Sequence, residues 1–175
     1  MINRYLIPAL LLCLHSFAVD AVTRIAILDF ELKDLTLAPG IPAEIKRTES
    51  IKPMLEKELS SAGYEMVSIP LSAQRTADSG VGYLFDHSDV ASNLGKQFGA
   101  DYILVGRLHK PSFLFAYLMA NLIRVKDQRV LDHFITESKG PNVELVIKAV
   151  ENMADKIDGK LENRYTPPLP GNPGK

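Results

Sequence analysis

The side chains able to do chemistry in this 175-residue chain are few and scattered. Its histidines are His15, His87, His109 and His133, and its one cysteine is Cys13. Asp86-His87-Ser88-Asp89 puts two carboxylates and an imidazole close together, as half of a metal site would. The plainer reading is a helix start, with Asp86 or Ser88 as cap and Asp89 near the positive end of the helix dipole. Ser79-Gly80-Val81-Gly82 has the Gly-x-Gly spacing of a phosphate loop. No strand leads into it, Phe85 stands where a third glycine belongs, and no Gly-Lys-Ser/Thr follows. Arg107 and His109 are two residues apart on a predicted strand and so project to one face. With Asp29 they form a candidate ligand-binding patch, which Asp132 on a neighbouring element could join. The Asp29–Asp34 loop is a candidate partner contact, and it brings Asp34 into the set. No Gly-x-Ser-x-Gly elbow and no His-Glu-x-x-His motif occurs, so no catalytic residue, metal site or cofactor is assigned.

These residues must be held by an α/β framework. Tyr102–Val105 is apolar on both faces, as a strand covered on two sides should be. A helix over Ser88–Phe98 precedes it, with Val90, Ala91, Leu94 and Phe98 at helical spacing and Gly99 at its end. Arg24–Phe30 is a natural parallel neighbour. Asp29 at its C-terminal end lies where open α/β sheets put function, and where an aspartate also commonly turns the chain. Glu31–Ile41 reads as a loop. A helix over Ala43–Ala62, ended by Gly63, should kink or restart near Ile51, because Pro53 lacks a backbone donor. Tyr64–Ile69 is a second strand, and Ser72–Thr76 suits a short helix. Phe113–Lys126 reads as a long strand that turns at Asp127 and returns as Val130–Thr136. After a break at Lys139-Gly140-Pro141-Asn142, Val143–Leu161 has the cleanest helical period in the chain. The expected fold class is α/β, a single five-stranded mixed sheet with helices packed on it, in the order β-α-β-α-β-β-β-α.

Composition bounds the function. The chain is 46% hydrophobic and 23% charged, typical of a globular protein, with a net charge of −1. That balance gives no reason to expect nucleic acid as a partner. Residues 1–21 have the three parts of a cleaved signal peptide: basic Met1–Arg4, apolar Tyr5–Leu14 and polar His15–Ala21. Both Ala18 and Ala21 suit cleavage, and Ala21 is favoured. The apolar stretch is too short for a stable anchor, so no membrane insertion is expected after cleavage. The mature chain then has no thiol, and Leu12 ahead of Cys13 is not the small residue of a lipobox, which argues against a lipoprotein. Residues 22–165 form the single domain. Residues 166–175 carry Pro167, Pro168, Pro170 and Pro173 and read as a disordered Pro/Gly-rich tail.

The run Ile25-Ala26-Ile27-Leu28-Asp29-Phe30, a long helix, then Gly99-Ala100-Asp101-Tyr102-Ile103-Leu104-Val105-Gly106, a hairpin and a terminal helix resembles a known domain. It is similar to the periplasmic α/β domain of the curli-secretion lipoprotein, the Tol-system propeller protein and a lipoprotein activator of penicillin-binding proteins. More closely, it resembles uncharacterised secreted bacterial proteins with that domain alone. The Lys110-Pro111-Ser112 step and the Asp127 turn fit that family. The resemblance implies a periplasmic, non-catalytic binding or assembly accessory whose partner is an envelope protein or complex. Candidate contacts are a strand edge over Phe113–Asn121 and the Asp29–Asp34 loop, although Phe113–Asn121 reads first as core. A small-ligand binding protein using Asp29, Arg107 and His109 is the alternative, and an enzyme without a recognisable motif is third. The oligomeric state is left open by the sequence.

Overall fold

A computed structural model describes residues 22–139 and 143–162. The stretch read as a signal peptide, the centre of the break before the last helix and the stretch read as a Pro/Gly-rich tail lie outside the described residues. The elements are β1 Arg24–Ile27, β2 Glu31–Asp34, α1 Pro42–Glu49, α2 Ile51–Ser61, β3 Glu65–Val67, α3 Leu71–Ala77, α4 Tyr83–Asp86, α5 Ser88–Gln97, β4 Tyr102–Lys110, β5 Phe115–Arg124, β6 Arg129–Lys139 and α6 Val143–Leu161. The single sheet runs β3-β1-β4-β5-β6, with β2 also paired to β4. Strands β1, β2 and β3 join in parallel and β4, β5 and β6 antiparallel, so the sheet is mixed.

The sheet has six strands rather than five. The extra one, β2, lies in the stretch expected to be loop. β1 and β2 share one lane along β4: Ile27 pairs with Leu104 and Glu31 with Arg107. Four steps on one side thus match three on the other, which is a one-residue bulge at Leu28–Phe30. The bulge brings Phe30 over Gly106, and a Cβ on Gly106 would overlap the Phe30 ring.

The helix expected over Ala43–Ala62 is broken at Ser50 into α1 and α2. Pro53 is the cause, since it cannot donate to the Glu49 carbonyl one turn back. Gly63 and Gly99 end their helices at φ 98° and 73°, a backbone that side chains rarely adopt. Neither Asp86 nor Ser88 caps α5. His87 holds that position and makes no side-chain cap, while its Nδ1 meets the Tyr83 carbonyl at 2.8 Å. α4 already occupies Asp86, which takes it out of capping range.

Two apolar layers flank the sheet. One side carries Ile25, Ile27, Leu104, Leu108, Leu118 and Leu122 against α2 and α6. Its far end is closed by α1 through buried charges: Glu44 meets Lys110 Nζ at 2.8 Å and Arg47 Nη1 at 3.2 Å, and Arg47 Nη2 donates to Ser138 Oγ at 2.7 Å. The other side carries Ala26, Leu28, Ile103, Val105 and Ile123 beneath the segment α3 to α5. Phe113–Asn121 is not an edge. β5 is paired on both sides, by β4 and β6, and the free edges belong to β3, β2 and β6. The apolar run of β5 buries its side chains in the core instead of offering backbone to a partner.

Candidate functional site

The four residues singled out from sequence do not converge. Asp29, in the bulge, pairs with Lys52 of α2 at 3.2 Å. Its backbone is held by Gln74 of α3, which accepts from the Asp29 amide at 2.9 Å and donates to its carbonyl at 3.0 Å. Asp29 thus joins strand to helices. Asp34 ends β2 and shapes the next loop, accepting the Thr36 amide at 3.0 Å and the Gly40 amide at 3.2 Å. Partial burial pushes its carboxyl up, but hydrogen bonds from Thr36 and Gly40 and the Lys110 charge outweigh that and hold it below 3.8. Asp132 is also engaged elsewhere, with Lys160 of α6 at 3.1 Å, on the opposite side of the sheet from Arg107.

Arg107 and His109 do share a face, as the period of two requires. Arg107 is only 7% exposed. Its guanidinium carbon lies 3.7 Å from the Phe85 ring centroid, and Nη2 is 4.0 Å from Asp86. Its Nε and Nη2, the edge that grips a carboxylate or phosphate side-on, are buried without a hydrogen-bond partner. Glu31, its register partner on β2, accepts the Gly82 amide at 2.6 Å through Oε2, while Oε1 is buried without a partner. His109 Nδ1 is likewise unpartnered. Burial pushes the His109 imidazole below 6.5, and the Lys33 and Arg107 charges push it the same way. It is therefore neutral near pH 7.

These groups belong to a larger feature that sequence reasoning missed. α4 and α5 cover only the half of this face around Ile103, Val105 and Ile123. Register places Lys33, His109, Tyr117, Met119, Ile135 and Glu137 side by side on the other half. Tyr117 and Met119 are half-buried, while His133, Ile135 and Glu137 are exposed. His133 meets Asn121 Oδ1 at 2.7 Å, and Asn121 donates to the Phe85 carbonyl at 3.0 Å, so the patch is tied to the helical cover. It is an open, flat, mixed apolar and polar quarter of the sheet, ending at the free edge of β6. The sequence carried no signal for it, because Ala116–Ala120 is an unbroken apolar run and His133–Glu137 does not alternate apolar with polar.

A groove of about 600 Å³ lies at the opposite end of the sheet, lined by Thr23, Asn93, Lys96, Tyr102, Arg124 and Gln128 among others. None of Asp29, Asp34, Arg107 or His109 lines it. Among the described residues no group of three or more His, Cys, Asp or Glu stands ready to hold a metal.

Residues 23–156 match the model of the DUF3280 family, described as a protein of unknown function (DUF2380). No curated protein matches the chain. Solved structures do. The hypothetical protein CT253 from Chlamydia trachomatis has a TM-score of 0.55 at 7% identity, over 81% of this chain and 99% of that one. The PelC dodecamer from Paraburkholderia phytofirmans has 0.50 at 12% identity, over 75% and 84%. TolB from Acinetobacter baumannii has 0.50 at 15% identity, over 82% of this chain but 29% of that one. At these identities the likeness is one of fold, and it includes the Tol-protein domain that the sequence resembled.

Proposed function

The chain belongs to the DUF3280 family, and we propose that it is a non-catalytic accessory of the bacterial envelope that binds a protein partner through the open quarter of its sheet. The observation that carries this reading is the uneven cover. One side of the sheet is closed along its length by α1, α2 and α6, while among the described residues no helix packs over Tyr117, Met119 and Ile135 on the other. A surface of this kind, with apolar groups set between Lys33, His109 and Glu137, has the composition of a docking patch. The signal-like residues 1–21 support export, after which the chain acts in the periplasm. The PelC dodecamer supports the idea that this fold serves in assemblies.

Site-specific photo-crosslinking in cells tests it. A crosslinker at Ile135 should capture one envelope protein, and the same group at Ile147, exposed on α6 on the covered side, should not. Met119→Asp should abolish the Ile135 adduct with the fold retained. Equal capture from both positions, or from neither, would overturn the reading.

A further inference from the structure

We propose that the end of the sheet where β2 and β4 finish rests on a lipid surface, through two adjoining loops, 35–41 and 111–114. The two strands run side by side to the pair Asp34 and Lys110, and the Leu35 amide donates to the Lys110 carbonyl at 2.9 Å. The loops therefore leave the sheet together. They carry Leu35, Leu37, Ile41, Phe113 and Leu114, all exposed, with Phe115 exposed at the start of β5. Leu37 is 97% exposed and Leu114 71%. Side chains so bare stand on a convex tip. A protein would need a matching hollow to cover them, whereas the boundary between lipid headgroups and acyl chains admits a protrusion directly.

Charge points the same way. Residues 35–43 and 111–123 contain no charged side chain, although the chain is 23% charged. Soluble surfaces intersperse both signs, and charge-free loops suit a boundary where an ion is costly to place. Of the two charges that adjoin the tip, Lys110 is turned inward onto Glu44 and the Asp34 carboxylate is taken up by loop amides.

The loop backbones are also prepared for scarce water. Asp34 takes the Thr36 and Gly40 amides. Ser112 Oγ takes those of Leu114 and Phe115, at 3.3 Å each. Polar backbone groups satisfied within the loop remove a main cost of entering a low-polarity layer. The contact is peripheral, since among the described residues no helix is long and apolar enough to cross a membrane.

Flotation of the processed chain Val22–Lys175, which holds every described element, on vesicles of phosphatidylethanolamine with phosphatidylglycerol tests this. Wild type should float with the vesicles and stay bound in high salt, because the side chains that meet the lipid are uncharged. Leu37→Ser with Leu114→Ser should lower partitioning by about tenfold or more. Both positions are exposed, so the unfolding temperature should not move. Met119→Asp should leave flotation unchanged, which separates this contact from the protein-binding face. Absence of flotation, release by salt, or equal flotation of the double variant would each overturn the proposal. So would loss of the envelope-protein adduct in the double variant when wild type does not float, which would make the tip a protein contact.

Discussion

Gly106 lies beneath the Phe30 ring, and no Cβ fits between them. Gly106→Ala should cost about 1–3 kcal/mol by overpacking. Phe30→Leu should recover part of that loss in the double variant, read as coupling in denaturant unfolding. Glu44 is a second point of control. It is 3% exposed and compensates two cations, so Glu44→Ala should destabilise by about 3–5 kcal/mol, far more than loss of an exposed ion pair. A third concerns acid. His109 has a folded pKa below 6.5, so the folded state takes up its proton later than the unfolded chain does. Its contribution is intact above 6.5 and is lost as pH falls through the folded value. Unfolding temperature measured down through that range should fall less steeply in His109→Gln. At this scale the sequence showed that Arg107 and His109 share a face. It did not show Arg107 stacked on Phe85 or Glu44 of α1 buried against Lys110, because both depend on where helices come to rest on the sheet.

Helix ends were legible where one residue enforces them: Pro53 predicted the break realised at Ser50, and Gly63 and Gly99 predicted stops. β2 was not legible, because Glu31-Leu32-Lys33-Asp34 is polar and takes its extended form from pairing with β4. The position of β5 was left open between core and edge, with core favoured, for a related reason. An apolar strand can be an edge or a centre, and only topology decides. Hydrogen exchange checks the outcome. Amides of Leu118, Ala120 and Leu122, buried between two partners, should exchange only on global opening. Amides of β6 that point away from β5 should exchange sooner.

Seen as a whole, the molecule is unequal on its two sides and at its two ends. One side is packed throughout, the other is packed over half its length, and the bare loops 35–41 and 111–114 crown a single end. Fold class and the order of most elements could be read from hydrophobic period, since burial imposes it on the chain directly. The asymmetry could not, because a side chain facing a helix and one facing a partner obey the same alternation. The bulge at Leu28–Phe30 shows what that alternation controls. Before it, odd-numbered Ile25 and Ile27 point to the α2–α6 side; after it, even-numbered Phe30 and Leu32 do. To the gene this is a counting constraint. Loss of one in-frame codon there would leave three steps opposite three, closing the bulge with Glu31 still beside Arg107 and Leu32 still toward the core, whereas the present length without a bulge would turn Leu32 to solvent and Glu31 and Lys33 to the core. Missense changes at the same positions would leave the count, and with it the lane, in place.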